Sequence, residues 1–410
     1  MVVGAGAVGL ATAYYLQKAG TAVTLVESGS AGRGTSWGNG GWLSPVLTVP
    51  TPAPGIPRMG IVESFQRDSA VAVRPHTSPT MIPWLLRFAR NCTRSAYRSG
   101  AHQLATLAKG MFDGFDELSD IGVPIDVRHR GNLRACLTEA EARHQLAELA
   151  PMRATGYPVP ETTLRKGEIH ELEPQLADSV ESGFQLPGER HVDPRQLCDA
   201  LTDLLIERGA QVLSDTRATG IRVAGGRVTS IETTGEPVTA HAYVVAAGLE
   251  SRQLVRDLGA RLPLRAGKGY SFFVPTEHAP AGPLYLSHTK VGVTPLAGGY
   301  RVVGALEIAD ETLRVDRRVV NSMVAITRRY LREGPPQDAS LSQLWAGLRP
   351  MTPDGLPLIG RVPHLGNAYV NTGHGMHGVG LSMVSGSALA EFVMTDRRPE
   401  LITPFTLSRF

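Results

Sequence analysis

Apolar and polar positions switch repeatedly between strand and helix spacing along the chain. Val2-Val3 leads into Gly4-Ala5-Gly6-Ala7-Val8-Gly9, apolar residues then recur at helical spacing through Leu16, Gly20 stops the run, and Ala22 to Glu27 reads as a second strand. This βαβ opening predicts an α/β fold with a doubly wound, Rossmann-like domain. With only three residues ahead of Gly4, the first strand reads as short, while the glycine motif itself is complete. Arg33 to Pro57 is rich in Gly, Ser, Thr and Pro and reads as an ordered loop. Helical spacing returns from Met81 to about Ile121, with Leu85, Leu86, Phe88, Leu104, Leu107, Met111 and Phe115 supplying apolar faces, and strands and turns resume near Ile125. Asp193-Pro194 caps a helix from Arg195 to Arg208, Gly209 stops it, and Gln211-Val212-Leu213 starts a strand.

Ala242 to Gly248 reads as a buried strand ending in small residues. From Leu262 to Ile308 the alternation has period two, broken by turns such as Gly298-Gly299, which predicts antiparallel strands of a second domain. A polar helix from Arg317 to Arg332 and a last helix from about Val379 to Met394 complete the pattern. No internal repeat or low-complexity block interrupts it.

At 410 residues the chain is long enough for two or three cores. Its 41 basic and 38 acidic residues leave +3, which gives no argument for a nucleic-acid partner. Cys92, Cys136 and Cys198 lie far apart and form neither a disulfide framework nor a zinc motif. No run reaches the roughly 20 apolar residues of a membrane span, and the start lacks the charged segment of a secretory leader. A cytoplasmic protein is expected.

The chemistry starts at the glycine turn. Gly4, Gly6 and Gly9 allow a sharp bend, approach of a pyrophosphate to backbone N–H groups and close helix–strand packing, and the helix N-terminus favours the phosphate charge. Glu27, closing the second strand, can accept hydrogen bonds from both ribose hydroxyls and would repel a 2′-phosphate, which disfavours NADP. The motif alone does not separate FAD from NAD.

The rest of the chain resembles the D-amino-acid oxidase family of FAD-dependent oxidoreductases, and within it the bacterial D-amino-acid dehydrogenase branch. Thr35-Ser36-Trp37-Gly38-Asn39-Gly40-Gly41 with Ser44-Pro45 is similar to the family's loop over the flavin, which implies polar contacts from Ser36 and Asn39 and a close approach at Gly40-Gly41. Gly209 to Ile221 resembles the strand pair beside the adenine, placing Ala218 at the contact; Val244-Val245-Ala246-Ala247-Gly248 resembles the second small-residue turn. The C-terminal block resembles the family most: Trp345-Ala346-Gly347-Leu348-Arg349-Pro350, Thr352-Pro353-Asp354-Gly355, and Asn371-Thr372-Gly373-His374-Gly375 running on to Gly378. The resemblance makes the arginine of the Gly-Leu-Arg-Pro run, Arg349, the clamp on the substrate carboxylate, and a planar guanidinium suits that task. A structural ion pair with a buried acid is the plainer reading of such an arginine.

Lys268-Gly269-Tyr270-Ser271 resembles a dehydrogenase stretch whose tyrosine lies near the substrate; Tyr270 either meets the carboxylate, closes the pocket, or is an ordinary half-buried strand tyrosine. Glu307 is a weaker candidate for the substrate amine. His374 and His377 are counted with the site as positioning residues, with a purely structural role the alternative. Pro54-Gly55-Ile56-Pro57 and Arg90-Asn91-Cys92-Thr93 also match the dehydrogenase branch, whereas Trp42 and Met376-His377 depart from it beside the expected pocket.

The resemblance implies non-covalent FAD and oxidative deamination of a D-amino acid to a 2-oxo acid and ammonia, by hydride transfer from the α-carbon to flavin N5. Glycine, sarcosine or a proline-type secondary amine is the alternative substrate. The electron acceptor would be a quinone, a carrier or oxygen. Residues 1–75, 187–260 and 335–410 would form the FAD domain, and 76–186 with 261–334 an inserted α+β substrate domain with an antiparallel sheet. An NAD-dependent dehydrogenase and a flavin-bearing subunit without amine chemistry remain open. The helix around Trp84 to Arg90, followed by Arg94 and Arg98, is basic and amphipathic, and reads as a helix packed on the core or as a peripheral contact with the inner face of the membrane.

Overall fold

The computed structural model describes residues 1–56, 71–73, 81–153, 155–287, 289–308, 311–336 and 341–410. Pro57 and the expected boundary at 75/76 lie outside the described residues.

The opening βαβ unit forms as the pattern predicts: strand Val2–Val3, helix Ala7–Lys18 and strand Thr24–Val26. Leu10, Ala11, Ala13 and Tyr14 fall on buried positions of the helix, and Val2 and Val3 pair in parallel register with Leu25 and Val26. On its other side the first strand pairs in parallel with Tyr243–Val245, Val2 opposite Val244. Gln211–Leu213 flanks the second strand, Ala368–Thr372 flanks the fourth, and antiparallel Leu358–Arg361 closes the edge. The five parallel strands therefore stand in the spatial order third, second, first, fourth, fifth. The order reverses between Val2–Val3 and Tyr243–Val245, the crevice where open α/β sheets bind ligands.

Helices Pro194–Glu207 and Ser382–Thr395 pack with the first helix in one core containing Leu10, Tyr14, Leu197, Leu201, Leu389 and Phe392. Each large apolar side chain so buried contributes about 1.5–3 kcal/mol. Asp193 caps its helix as expected, its side chain accepting from Arg195 N at 3.0 Å.

The second sheet has nine strands. Ser342–Met351 is at one end, followed by Arg265–Pro275, Gly299–Ile308, Val291–Leu296, Leu284–Leu286, Asn132–Cys136, Ser182–Leu186 and Leu164–Arg165; Val71–Val73 pairs beside Gly299–Ile308. Its central pairings are antiparallel. Helix Arg317–Tyr330, capped by Asp316, covers one face through Val320 and Met323, which pack with Tyr270, Phe272, Tyr300 and Val302.

Packing draws the division between the layers differently from the sequence in two places. The expected helical region is three helices, Ile82–Asn91, Arg94–Ala108 and Asp113–Asp120. Leu104, Leu107, Phe115 and Leu118 join the nucleotide-fold core, because that is where their apolar stripe finds a partner. Strand Ser342–Met351, expected with the nucleotide fold, is hydrogen-bonded into the second sheet along Arg265–Pro275. Helix Glu139–Arg153 has no counterpart in the sequence reading: charged residues are interspersed with alanines along it, and only Ala142, Gln145, Leu146 and Met152 are buried.

Candidate active site

At the C-terminal end of the first strand, Gly4 adopts φ 99°, and a Cβ there would lie 2.7 Å from Ala246 O. A Cβ on Gly9 would overlap Gly4 O, so helix and strand pack at backbone distance. Gly6 differs: a Cβ would meet only Ser36 Oγ, at 3.4 Å. Ala7 N donates to Ser36 Oγ at 3.1 Å at the start of the helix, where the dipole and free N–H groups favour an anion. Glu27 Oε2 accepts from Ala5 N at 2.7 Å, and Oε1 accepts from Gly29 N at 3.2 Å, which holds the carboxylate beside the turn.

Gly6, Val8, Glu27, Ser36, Ala218, Ala247, Gly248, Gly375 and Gly378 are all half-buried, and they come from the ends of neighbouring elements around one crevice. Thr216 N donates to Glu27 O at 2.8 Å, which ties the start of the hairpin strand Ala218–Ala224 to the acid. Gly248, at φ 55°, has its carbonyl held by Thr372 Oγ1 at 2.9 Å. Gly373 and Gly375 also have positive φ, and a Cβ on Gly378 would lie 4.0 Å from Val8. The open approach at Gly6, the anion-favouring helix end and the acid at Glu27 fit the pyrophosphate and ribose of a dinucleotide.

The loop from Thr35 to Gly41 joins the two sheets. Thr35 Oγ1 donates to Leu348 O at 3.1 Å, Arg301 Nη1 donates to Asn39 O at 3.1 Å, and Thr294 Oγ1 donates to Gly40 O at 2.8 Å. The Asn39 side chain is engaged within the loop, Oδ1 accepting from Gly41 N at 2.8 Å and Nδ2 donating to Met376 O at 3.5 Å. Trp42 Nε1 donates to Thr294 Oγ1 at 2.8 Å, its indole lies over Gly292, and Tyr285 stands 6.1 Å away centroid to centroid.

Arg349 shares this face. Its guanidinium lies over Gly269 on the neighbouring strand, where any Cβ would collide with it, and Nη1 donates to Ala305 O at 2.7 Å, one strand further on. Strand neighbours are about 4.8 Å apart, so the guanidinium head comes within one strand of the Trp42 indole over Gly292. Among the described residues no carboxylate lies within ion-pair distance of Arg349. Desolvation by the surrounding chain pulls its pKa down to about 10, which leaves it a cation at neutral pH.

Tyr270 is not brought to Arg349. Period-two alternation turns Gly269 and Tyr270 to opposite faces, and Tyr270 is buried in the core under helix Arg317–Tyr330, its hydroxyl donating to Glu307 Oε2 at 2.5 Å. Glu307 is likewise buried on that side, away from the loop that lines the crevice. His374 is buried, with Nε2 3.2 Å from Ser385 Oγ; burial, then the neighbouring His377, pushes its pKa down to about 3. His377 Nε2 is 3.1 Å from Val49 O, and burial also lowers its pKa. Sequence reading did not single out Gly269, Ala305 O or Thr294. Gly269 belongs to the Lys268-Gly269-Tyr270-Ser271 stretch, but its place beneath Arg349 depends on strand register, for which the sequence carries no signal.

Known proteins match this chain over most of its length. The family model of the FAD dependent oxidoreductases, DAO, matches residues 1–392. A D-amino acid dehydrogenase of Methylobacterium nodulans is 36% identical over 98% of this chain and 96% of that protein. One from Cereibacter sphaeroides is 35% identical over 98% of this chain and 92% of its own length. Among solved structures, glycine oxidase from Geobacillus kaustophilus superposes with a TM-score of 0.75 at 23% identity, covering 100% of this chain and 98% of that one. L-proline dehydrogenase from P. horikoshii gives 0.73 at 18% identity, covering 100% and 96%. By the match over residues 1–392 and the identity to these relatives, the chain belongs to the DAO family of FAD-dependent oxidoreductases.

Proposed function

We propose that this chain is an FAD-dependent D-amino-acid dehydrogenase that converts a D-amino acid to a 2-oxo acid and ammonia. The observation that carries the reading is Arg349: a half-buried guanidinium on the crevice face with a backbone carbonyl as its partner and no carboxylate in reach among the described residues. A cation kept in that setting invites an anion from outside, and the substrate carboxylate is the anion that the named relatives would supply.

Gly4, Gly6, Gly9 and Glu27 would hold FAD, with Ser36 at the helix end and Ala247, Gly248, Gly375 and Gly378 along the crevice. FAD, when bound, would supply the acceptor for the hydride, the two electrons of the Cα–H bond, that leaves as the amine becomes an imine and gives up an N–H proton. Arg349 fixes the carboxylate and so orients the α-carbon, Trp42 and Tyr285 wall the side-chain end against water, and the imine product is hydrolysed by solvent. Non-covalent attachment belongs to the same proposal: Cys136 and Cys198 are buried in other elements, and Cys92 closes helix Ile82–Asn91.

Electrons would pass on to a quinone, a carrier or oxygen. Ile82 and Leu86 are exposed on the same side of helix Ile82–Asn91 as Arg87 and Arg90, a combination suited to peripheral contact with an anionic membrane on its cytoplasmic side. No described helix is long and apolar enough to cross a membrane.

Arg349→Ala tests the reading. Loss of a charge-assisted hydrogen-bonded pair is worth about 1.5–3 kcal/mol, so KM for a D-amino acid should rise on the order of 10- to 100-fold. FAD content should be unchanged. Equal loss of FAD and activity would move Arg349 from substrate to cofactor or to structure.

A further inference from the structure

We propose that Tyr270, Glu307 and Lys268 brace the far side of the large sheet and act as positioning residues for Arg349. The inference rests on the assignment of Arg349 to the substrate carboxylate. Between Lys268 and Tyr270 there is one residue, Gly269; the paired positions opposite, Glu307 and Gly304, enclose two, Ala305 and Leu306. Strand Gly299–Ile308 thus carries an extra residue, a bulge placed beside Gly269, over which the Arg349 guanidinium lies.

Ala305 within that bulge has φ 57°, a left-handed conformation that an L-residue keeps only when its surroundings over-determine it. Its carbonyl is the acceptor for Arg349 Nη1 at 2.7 Å. The bulge therefore aims an otherwise ladder-bound backbone oxygen at the guanidinium and fixes which N–H groups remain turned toward the crevice.

The three polar residues flank this bulge at both ends, on the opposite face of the sheet. Tyr270 is the register partner of Gly304 just before it, and Lys268 that of Glu307 just after it. The Tyr270 hydroxyl reaches Glu307 Oε2 at 2.5 Å, and Lys268 Nζ lies 5.6 Å from the centroid of the Tyr270 ring. Lys268, Tyr270 and Glu307 are only 5%, 1% and 4% exposed. A charged, hydrogen-bonded group buried this deeply has few alternative arrangements, so it holds the bulge in one geometry. Tyr270 thus influences the carboxylate site through the backbone, without touching substrate.

The test uses the FAD-loaded protein with propionate, a carboxylate without an amine, titrated calorimetrically, together with KM and kcat for D-alanine. Tyr270→Phe should weaken propionate binding and raise KM about tenfold, a coupling typical of residues that share a network, with kcat changed by no more than about twofold. FAD content should stay the same. In the Arg349→Ala background, Tyr270→Phe should add nothing further. Glu307→Gln, which keeps volume and an acceptor oxygen, should reproduce the Tyr270→Phe effect and replaces it if that variant does not fold. A lowered Tm with unchanged propionate affinity and KM, or full additivity with Arg349→Ala, would overturn the brace. Propionate affinity unaffected by Arg349→Ala itself would instead remove the carboxylate assignment, and the brace with it.

Discussion

His374 shows how a single residue's chemistry is set by its surroundings. Its pKa lies at about 3, against an ordinary 6.5, chiefly through burial. Folding therefore disfavours the protonated ring. The stability this contributes is complete above pH 6.5 and is lost as the pH falls toward 3. His374→Asn should lose less stability than the parent over that window in thermal unfolding at stepped pH. It should also leave the acid limb of kcat/KM near neutrality unmoved; a shifted limb would restore an acid–base role to His374. In the sequence a histidine between two glycines suggests chemistry, because the signal that argues against it, a hydrogen bond to Ser385 on the last helix, depends on tertiary packing. Arg349 was legible for the opposite reason: its residue type and its motif both point to a carboxylate. Tyr270 fell between the two, since the residue was legible but its face was not: one step along a strand reverses the side chain's direction.

Among the elements, the glycine turn gives the sharpest contrast. Gly9→Ala would drive a methyl into Gly4 O and separate helix from strand, so both the apo fold and FAD binding should be lost. Gly6→Ala meets only the Ser36 hydroxyl, so the apo protein should keep its Tm while FAD affinity falls tenfold or more, at least about 1.4 kcal/mol. Flavin fluorescence titration alongside thermal unfolding separates the two, and equal damage from both would show that Gly6 serves packing and not the cofactor. The turn, the capped helices Pro194–Glu207 and Arg317–Tyr330 and the antiparallel strands were legible because each advertises itself locally, by a cap, a period or a glycine. Helix Glu139–Arg153 carries no such stripe. The bulge at Ala305 exists only in the pairing of two strands, so no single stretch of sequence announces it.

At the scale of the whole molecule, the nucleotide fold is assembled from distant segments: Val2–Val3 lies against Tyr243–Val245, and Ala368–Thr372 beyond it. Pairings across hundreds of residues leave no local trace, and only the resemblance to a family made this assembly foreseeable. The same assembly sets the dinucleotide crevice of one sheet against the arginine-bearing face of the other, with the Thr35–Gly41 loop between them. Anaerobic reduction of the purified protein's visible flavin spectrum by D-, L- and N-substituted amino acids, added one at a time, tests that account most directly. The purified protein should be yellow, bleached by D-amino acids and left unchanged by their L-enantiomers. A yellow protein that no D-amino acid bleaches, or one bleached only by glycine or secondary amines, would contradict it.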